Sequence, residues 1–364
     1  MSLVKINIGP VHPSTHGLLR LVVTLDGDTI VNVEPHVGFL HRGVEKLAEN
    51  RMYMQIPPFI EKCDYVAKTA MDEAYVATVE AAMGIEPNER AQYERVILLE
   101  LQRIASHLLW LGAMLNDLGH FFSVFMWTFA DRDKVLKLLE EATGQRMFYV
   151  NMRLGGLRQE FPKDFEYHVL DVLAYLEKRI NEYESFIENS SLFKERMYKV
   201  GVLSRDDAIN LGVSGPVLRA SGVNFDVRKD KPYYVYKKLN FKPIVLYNGD
   251  NFSRYKVRIL EIKESIRLIR EAFKQMPDGN ATGMPIKLIN PAPKNKVVRV
   301  SREGPRGEIM FYLVADEQRP YRLAMRTPAF INLAALNHIA KGNKFANLFP
   351  IIGSLDLVMA DVDK

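Results

Sequence analysis

Hydrophobic and polar positions along this 364-residue chain follow three successive patterns. Near the start, residues 18–25 are mostly apolar and rich in β-branched side chains. Asp26-Gly27 marks a turn, and residues 29–33 alternate, which predicts a β-hairpin. From about residue 42 the spacing becomes helical. Pro57-Pro58 suits a helix start, and the pattern continues over 59–83 with Gly84 as the stop. Asn88 is placed to cap the next helix, with Glu89 near the positive end of its dipole. Val96, Leu99, Ile104, Leu108 and Leu111 cover so much of that helix's circumference that it is expected inside a bundle. Two more helices are predicted over 131–143 and 164–189. Beyond about residue 200, glycines, prolines and short β-type runs (244–247, 296–300) surround one amphipathic helix at 253–275. There is no internal repeat. The pattern predicts an α+β protein: an N-terminal β unit (1–45), a helical bundle (46–200) and a mixed C-terminal part (201–364) packed back on the bundle as one interwoven unit.

Composition narrows the class. With 48% hydrophobic and 26% charged residues the chain can bury a large core. Strongly apolar stretches, such as residues 108–115, fall far below the ~20 residues of a membrane span. Met1-Ser2-Leu3-Val4-Lys5 leads into a strand, so no signal peptide is expected. The expectation is a soluble chain, or one peripheral on something larger. Cys63, the one cysteine, excludes an intrachain disulfide and a four-cysteine metal or iron–sulfur site, and suits a reducing compartment. The net charge of +5 comes from 49 basic and 44 acidic residues that are well mixed. That reads as a soluble surface rather than a nucleic-acid site.

The candidate chemistry starts at Gly9-Pro10-Val11-His12-Pro13-Ser14-Thr15-His16-Gly17. Pro13 lacks an N–H and disfavours helix at His12, so the two histidines belong to a shaped loop, not to a helical His-x-x-x-His metal face. Imidazoles held this way can supply protons near neutral pH. There is no dinucleotide- or phosphate-binding glycine motif and no nucleophile elbow. Glu61, Cys63, Asp64 and Tyr65 fall in the first two turns of the helix predicted from Pro58, where they are expected to face a cleft mouth or a partner. Asp117 lies at a helix C-terminus, where negative charge is unfavourable, and so calls for a compensating partner. On residue types alone, Tyr65 also fits a core-edge tyrosine with a bonded hydroxyl, and the histidines fit structural hydrogen bonders.

A resemblance breaks that tie. Gly9-Pro10-Val11-His12-Pro13-Ser14-Thr15-His16-Gly17-Leu18-Leu19-Arg20 resembles the opening of the quinone-site subunit of respiratory complex I. It continues through His36-Val37-Gly38-Phe39-Leu40-His41-Arg42-Gly43, Glu45-Lys46, Arg95-Val96-Ile97, residues 101–109, Leu218-Arg219-Ala220-Ser221-Gly222 and Asp226-Val227-Arg228-Lys229. Arg306-Gly307-Glu308, Pro320-Tyr321-Arg322 and the ending from Gly353-Ser354-Leu355-Asp356 to Asp361-Val362-Asp363-Lys364 complete it. The resemblance implies a fold like the nickel–iron hydrogenase large subunit with its metal site lost. The two Cys-x-x-Cys pairs of that fold would fall near 64–67 and 358–361, and neither exists here. Cys63 cannot replace four thiolates.

By the same resemblance, the vacated cavity takes a quinone headgroup. His16 and Tyr65 hydrogen-bond its two carbonyl oxygens, and Asp117 pairs with His16. His12 chiefly shapes the loop and is placed to approach the headgroup. Arg42 stands beside the iron–sulfur cluster of a partner small subunit. Quinone reduction takes two electrons and two protons, and positioned donors stabilise the developing oxyanions. The chain itself is expected to bind no cofactor and no metal; the quinone is substrate. Its expected partners are the iron–sulfur small subunit, other peripheral-arm subunits and the membrane arm at the quinone entrance, with no nucleic acid. Its place is the cytoplasmic side of the cell membrane, peripheral, with coupling to ion translocation. Three departures from the family pattern stand out: no histidine near Phe148, an altered stretch Asp117-Leu118-Gly119-His120-Phe121-Phe122-Ser123, and a shortened region 277–294. They suggest a divergent, archaeal-type branch, for which methanophenazine or a sulfur species is an alternative acceptor. A non-catalytic scaffold between the iron–sulfur subunit and the membrane arm is the alternative from another class.

Overall fold

The computed structural model describes residues 3–15, 17–119, 122–149, 151–284 and 292–364. His16, His120, Phe121 and residues 285–291 of the 277–294 region lie outside the described residues. The expected N-terminal hairpin is present. Strands β1 (Val4–Ile8), β2 (Arg20–Asp26) and β3 (Thr29–His36) form an antiparallel sheet in that order. Alternation buries Leu21, Val23 and Leu25 on one face, with Ile30 and Val33 beside them. Gly27 at φ 62° makes the tight turn between β2 and β3.

The bundle is built from α1 (Lys68–Met83), α2 (Glu89–Asp117), α3 (Phe122–Thr143), α4 (Phe165–Glu188) and α5 (Asn251–Gln275), with α6 (Leu348–Leu355) and α7 (Met359–Asp363) at the C-terminal end. Asn88 caps α2, its side chain accepting the Ala91 N–H at 2.9 Å. Val96, Leu99, Ile104, Leu108 and Leu111 are all buried, as the pattern predicts. α2 packs against α1, α3, α5 and α6. Its 29 residues include an 18-residue window with mean hydropathy 1.3, long and apolar enough to cross a membrane, which corrects the reading of short apolar stretches. Since 89% of that window is buried inside the protein, α2 is a core helix.

Three other expectations are corrected. The helix predicted over 59–83 is two pieces, Pro57–Ile60 and α1, separated by turns over 61–67. Asp64 makes the break: its Oδ1 accepts the N–H groups of Val66 (3.1 Å) and Ala67 (3.0 Å), competing with the helical bonds there. α3 begins at Phe122 rather than near 131, because 124–129 carries apolar residues on both its buried face (Val124) and its exposed face (Met126, Trp127), which hides the period. Residues 244–247 form no strand. Leu246 N–H bonds Arg219 O at 3.0 Å, which docks the segment on the end of helix Gly215–Ala220 instead.

The C-terminal part holds an antiparallel meander of β4 (Val297–Gly304), β5 (Gly307–Ala315) and β6 (Pro320–Arg326). α1 packs on it, over buried Ile309, Phe311 and Leu313. One core unites the bundle with this meander, and a second joins the N-terminal sheet to residues 200–218 and 329–362. Antiparallel sheets segregated from helices make the architecture α+β. A small third cluster, Val66, Val358 and Ala360 with Leu40 and Leu109 packed against it, draws four distant stretches together.

Candidate functional site

Proline and glycine shape the histidine loop. Residues Pro13–Thr15 make one 3-10 turn, and the pairs Val11↔Leu18 and His12↔Gly17 close its base. Thr15 Oγ1 lies 2.8 Å from both His12 O and Gly17 O and donates to either. His12 Nδ1 accepts the Ser14 N–H at 3.2 Å, which leaves Nε2 to carry the proton of the neutral ring. That ring stacks on Phe349 of α6, with centroids 4.9 Å apart and planes 6° from parallel. Gly17, at φ 144°, lies against Met359 of α7; a Cβ there would come within 2.8 Å of the Met359 side chain. The loop that carries His16 is thus seated on α6 and α7.

The 61–67 turn forms a second wall; Glu61 lines a pocket of about 260 Å³ with Met54, Arg153 and Arg158, as expected of a cleft mouth, while Cys63 and Asp64 point inward. Glu61, Cys63 and Asp64 are buried, whereas Tyr65 is 45% exposed. The Tyr65 hydroxyl makes no hydrogen bond among the described residues, so the bonded core-edge tyrosine is not what the fold contains. Asp64 Oδ2 pairs with Arg306 Nη1 at 2.7 Å. Arg306 Nε lies 3.4 Å from Asp356 Oδ1, and Arg258 Nε lies 3.8 Å from Asp356 Oδ2. Burial raises the Tyr65 hydroxyl above the usual tyrosine range, with Arg306 lowering it and Asp64 raising it. The Cys63 thiol is pushed up to about 12, chiefly by burial, although Arg42 Nη2 lies 3.7 Å from its sulfur.

The third wall is α7, clamped to residues 38–42. Asp363 accepts the Gly38 and Leu40 N–H groups, each at 2.7 Å. His41 Nδ1–H donates to Asp363 O at 2.7 Å, and the Arg42 N–H to Lys364 O at 3.2 Å. This clamp brings Arg42 over Cys63. Asp361, just inside, accepts the Ala329 N–H at 3.0 Å. Beside the clamp opens a pocket of about 360 Å³ whose lining includes His41, Glu45, Arg322 and Phe330. Asp117 is half-buried on α2, eight residues beyond Leu109, or ~12 Å along the helix at ~1.5 Å per residue.

The fold therefore gathers the histidine loop, Tyr65 and Arg42 around α7, with Asp117 further along the neighbouring helix. Sequence reasoning gave no role to Arg306, Arg258, Asp356 and Asp361. Arg306, Asp356 and Asp361 lie in the blocks that carry the resemblance, which was the available signal. Among the described residues no group of three or more His, Cys, Asp or Glu side chains is placed to hold a metal ion. Asp64 is engaged by Arg306 and two backbone N–H groups, and Asp361 by the Ala329 N–H.

Known proteins now decide the family. The family model of the respiratory-chain NADH dehydrogenase 49 kDa subunit matches residues 117–302 and 287–364. The chain belongs to this 49 kDa family. A relative from Dehalococcoides mccartyi (strain BAV1), named as a component of NADH-quinone oxidoreductase, is 46% identical over 99% of this chain and 98% of its own length. Its namesake from Citrifermentans bemidjiense is 40% identical over 100% of this chain and 99% of its own. A component of the NAD(P)H-quinone oxidoreductase of Gloeobacter violaceus is 40% identical over 99% and 97%. The Arg306 hairpin and α7 lie inside the family match. The histidine loop and Tyr65 lie in the stretch covered by the full-length relatives.

Proposed function

We propose that this chain is the acceptor-reducing component of an NADH-quinone oxidoreductase-type complex, with a fold like the hydrogenase large subunit. A quinone headgroup lodges between the histidine loop and Tyr65, beside the vacated metal position. The observation that carries this reading is the convergence of the histidine loop, the 61–67 turn and α7 on one place. Tyr65 there is about half exposed, and its hydroxyl has no protein partner among the described residues. A phenol whose proton is held tightly in the ground state donates a hydrogen bond to an oxygen as negative charge builds on it. His16 is the second donor, with Asp117 as its orienting carboxylate, and His12 shapes the loop through its Ser14 bond and Phe349 stack. Electrons come from an iron–sulfur cluster of a partner subunit on the Arg42 side, where a cation raises the cluster's electron affinity. The complex sits at the membrane, and the chemistry is coupled to ion translocation.

Assembled complexes with Tyr65→Phe or His16→Ala test this. Quinone reduction is expected to fall at least tenfold, in line with the ~10²–10⁴-fold contribution of positioned proton donors. Full quinone reduction by both variants refutes the assignment. An analogue found bound elsewhere, with this cavity empty, supports a scaffold instead.

A further inference from the structure

Behind Tyr65 the fold buries more polar atoms than it pairs. Arg306 Nε and Nη2, Arg258 Nε and Nη2, Asp356 Oδ2 and Asp361 Oδ1 are all buried and have no hydrogen-bond partner among the described residues. The Arg306–Asp356 and Arg258–Asp356 approaches of 3.4 and 3.8 Å are ion-pair contacts without hydrogen-bond geometry. One orphaned buried group costs about 1–3 kcal/mol, and such groups are rare in native proteins. Six gathered around two guanidiniums and two carboxylates indicate ordered water, which satisfies buried polar atoms with about three bonds each.

Asp361 is placed to hold a proton. Arg306 pairs with Asp64 and approaches Asp356, which Arg258 also approaches, and Arg254 and Glu261 face Arg258 from its own helix. Asp361 is fully buried. The cations that act on it, Arg306 and Lys364, are both engaged elsewhere as well. Asp64 and the thiol of Cys63 come from the 61–67 turn, and Arg306, from the hairpin, is already shared by two carboxylates. The Lys364 ammonium donates to Met325 O at 2.7 Å and lies 3.8 Å from Glu45, and Arg42 points to Cys63. Among the described residues, the one donor to Asp361's side chain is the neutral Ala329 N–H. Burial first, then Asp64, holds the Asp361 carboxyl well above the usual carboxylate range.

We propose that Asp361 and a cluster of buried water between it, Arg306, Arg258 and Asp356 form a proton store that re-protonates Tyr65. The delivery step rests on the role given to Tyr65 above. When the phenol has passed its proton to the reduced acceptor, the phenolate takes a proton from water. That water takes the Asp361 proton, and the new Asp361 carboxylate is met by the free Nη2 of Arg306. No electrons move in this step, and one proton is displaced along the line. Asp361 acts through water and Tyr65, so it is a positioning and supply residue rather than a catalytic one.

Two measurements on the intact wild-type complex decide the store itself. A density map that resolves water is expected to show at least one water within hydrogen-bond reach of both Asp361 Oδ1 and Arg306 Nη2; a dry interior overturns the proposal. Infrared difference spectra on acceptor reduction are expected to show loss of a protonated-carboxyl band that is absent in Asp361→Asn. The same band in that variant overturns the assignment to Asp361. Kinetically, Asp361→Asn is expected to lower kcat about tenfold with KM little changed, the defect growing as pH rises because solvent protons no longer compensate. Asp361→Glu restores the wild-type profile. A defect independent of pH shows a merely structural role and overturns the proposal, as does unchanged kcat. Should Tyr65→Phe keep full activity while water and band are present, the store stands and the role given to Tyr65 falls.

Discussion

Glu100, in the middle of α2, is a buried carboxylate whose removal has a calculable cost. It is fully buried among Arg103 Nε at 3.1 Å, Arg228 Nη1 at 3.2 Å and the hydroxyls of Tyr236 and Ser265, both at 2.6 Å. Burial alone would raise its pKa. The two guanidiniums and two hydroxyls overcome that and hold it at about 2, against 4.5 for a free glutamate. At about 1.4 kcal/mol per pH unit, this shift contributes ~3 kcal/mol to stability. Because the folded value is the lower one, the contribution is complete above about pH 4.5. It is lost as pH falls towards about 2. Glu100→Gln keeps the shape, removes the charge and leaves Arg103 and Arg228 short of a partner. Its expected cost is about 3–5 kcal/mol, as for other broken buried pairs. An unfolding entropy of about 2.1 cal/mol/K per residue gives ~0.8 kcal/mol/K for a chain this long, so Tm falls by roughly 4–6 °C. The assay is thermal unfolding followed by fluorescence of Trp110, which is buried and donates to Gly353 O at 2.7 Å. A variant melting within about 1 °C of wild type at pH 7 refutes the reasoning. So does a gap that fails to narrow below about pH 4.

Gly17→Ala places a Cβ 2.8 Å from the Met359 side chain in a backbone conformation that L-residues avoid. The histidine loop then shifts off α7, and quinone reduction by the assembled complex falls while the chain's melting temperature changes little. Cys63, with its thiol near 12, is expected to resist thiol reagents at pH 8 in the folded chain and to react once urea unfolds it; labelling before and after unfolding reads this directly. Asn88→Ala removes the α2 cap and costs about 1 kcal/mol, measured by urea unfolding.

The long helices were legible because each hides one apolar face in water-excluding contacts, and that requirement writes its period into the residues. α4 and α5 begin and end within two residues of the ranges read from spacing. What spacing cannot show is an interruption imposed from far along the chain. The turns at 61–67 interrupt an otherwise helical pattern because Asp64 spends one oxygen on local N–H groups while its other oxygen is held by Arg306, 242 positions away in sequence. α3 hid its first turns for the opposite reason, carrying apolar residues on a face that the described residues leave about half exposed.

The candidate site divides along the same line. The histidine loop was readable because proline and glycine constrain the backbone locally, whatever surrounds them. Tyr65 and Arg42 emerged through resemblance. Arg306, Asp356 and Asp361 carry no local signature, since a charged residue becomes a core residue only when its counter-charges arrive from other elements. That is also why Cys63 and Asp64 were expected at a cleft mouth or a partner and are found inside. The residues that local rules place on the surface are the ones that line the interior of this site. Their burial leaves Lys62 and Tyr65 as the exposed members of the turn, the Tyr65 hydroxyl without a protein partner among the described residues and unpaired buried polar atoms on the Arg306 side.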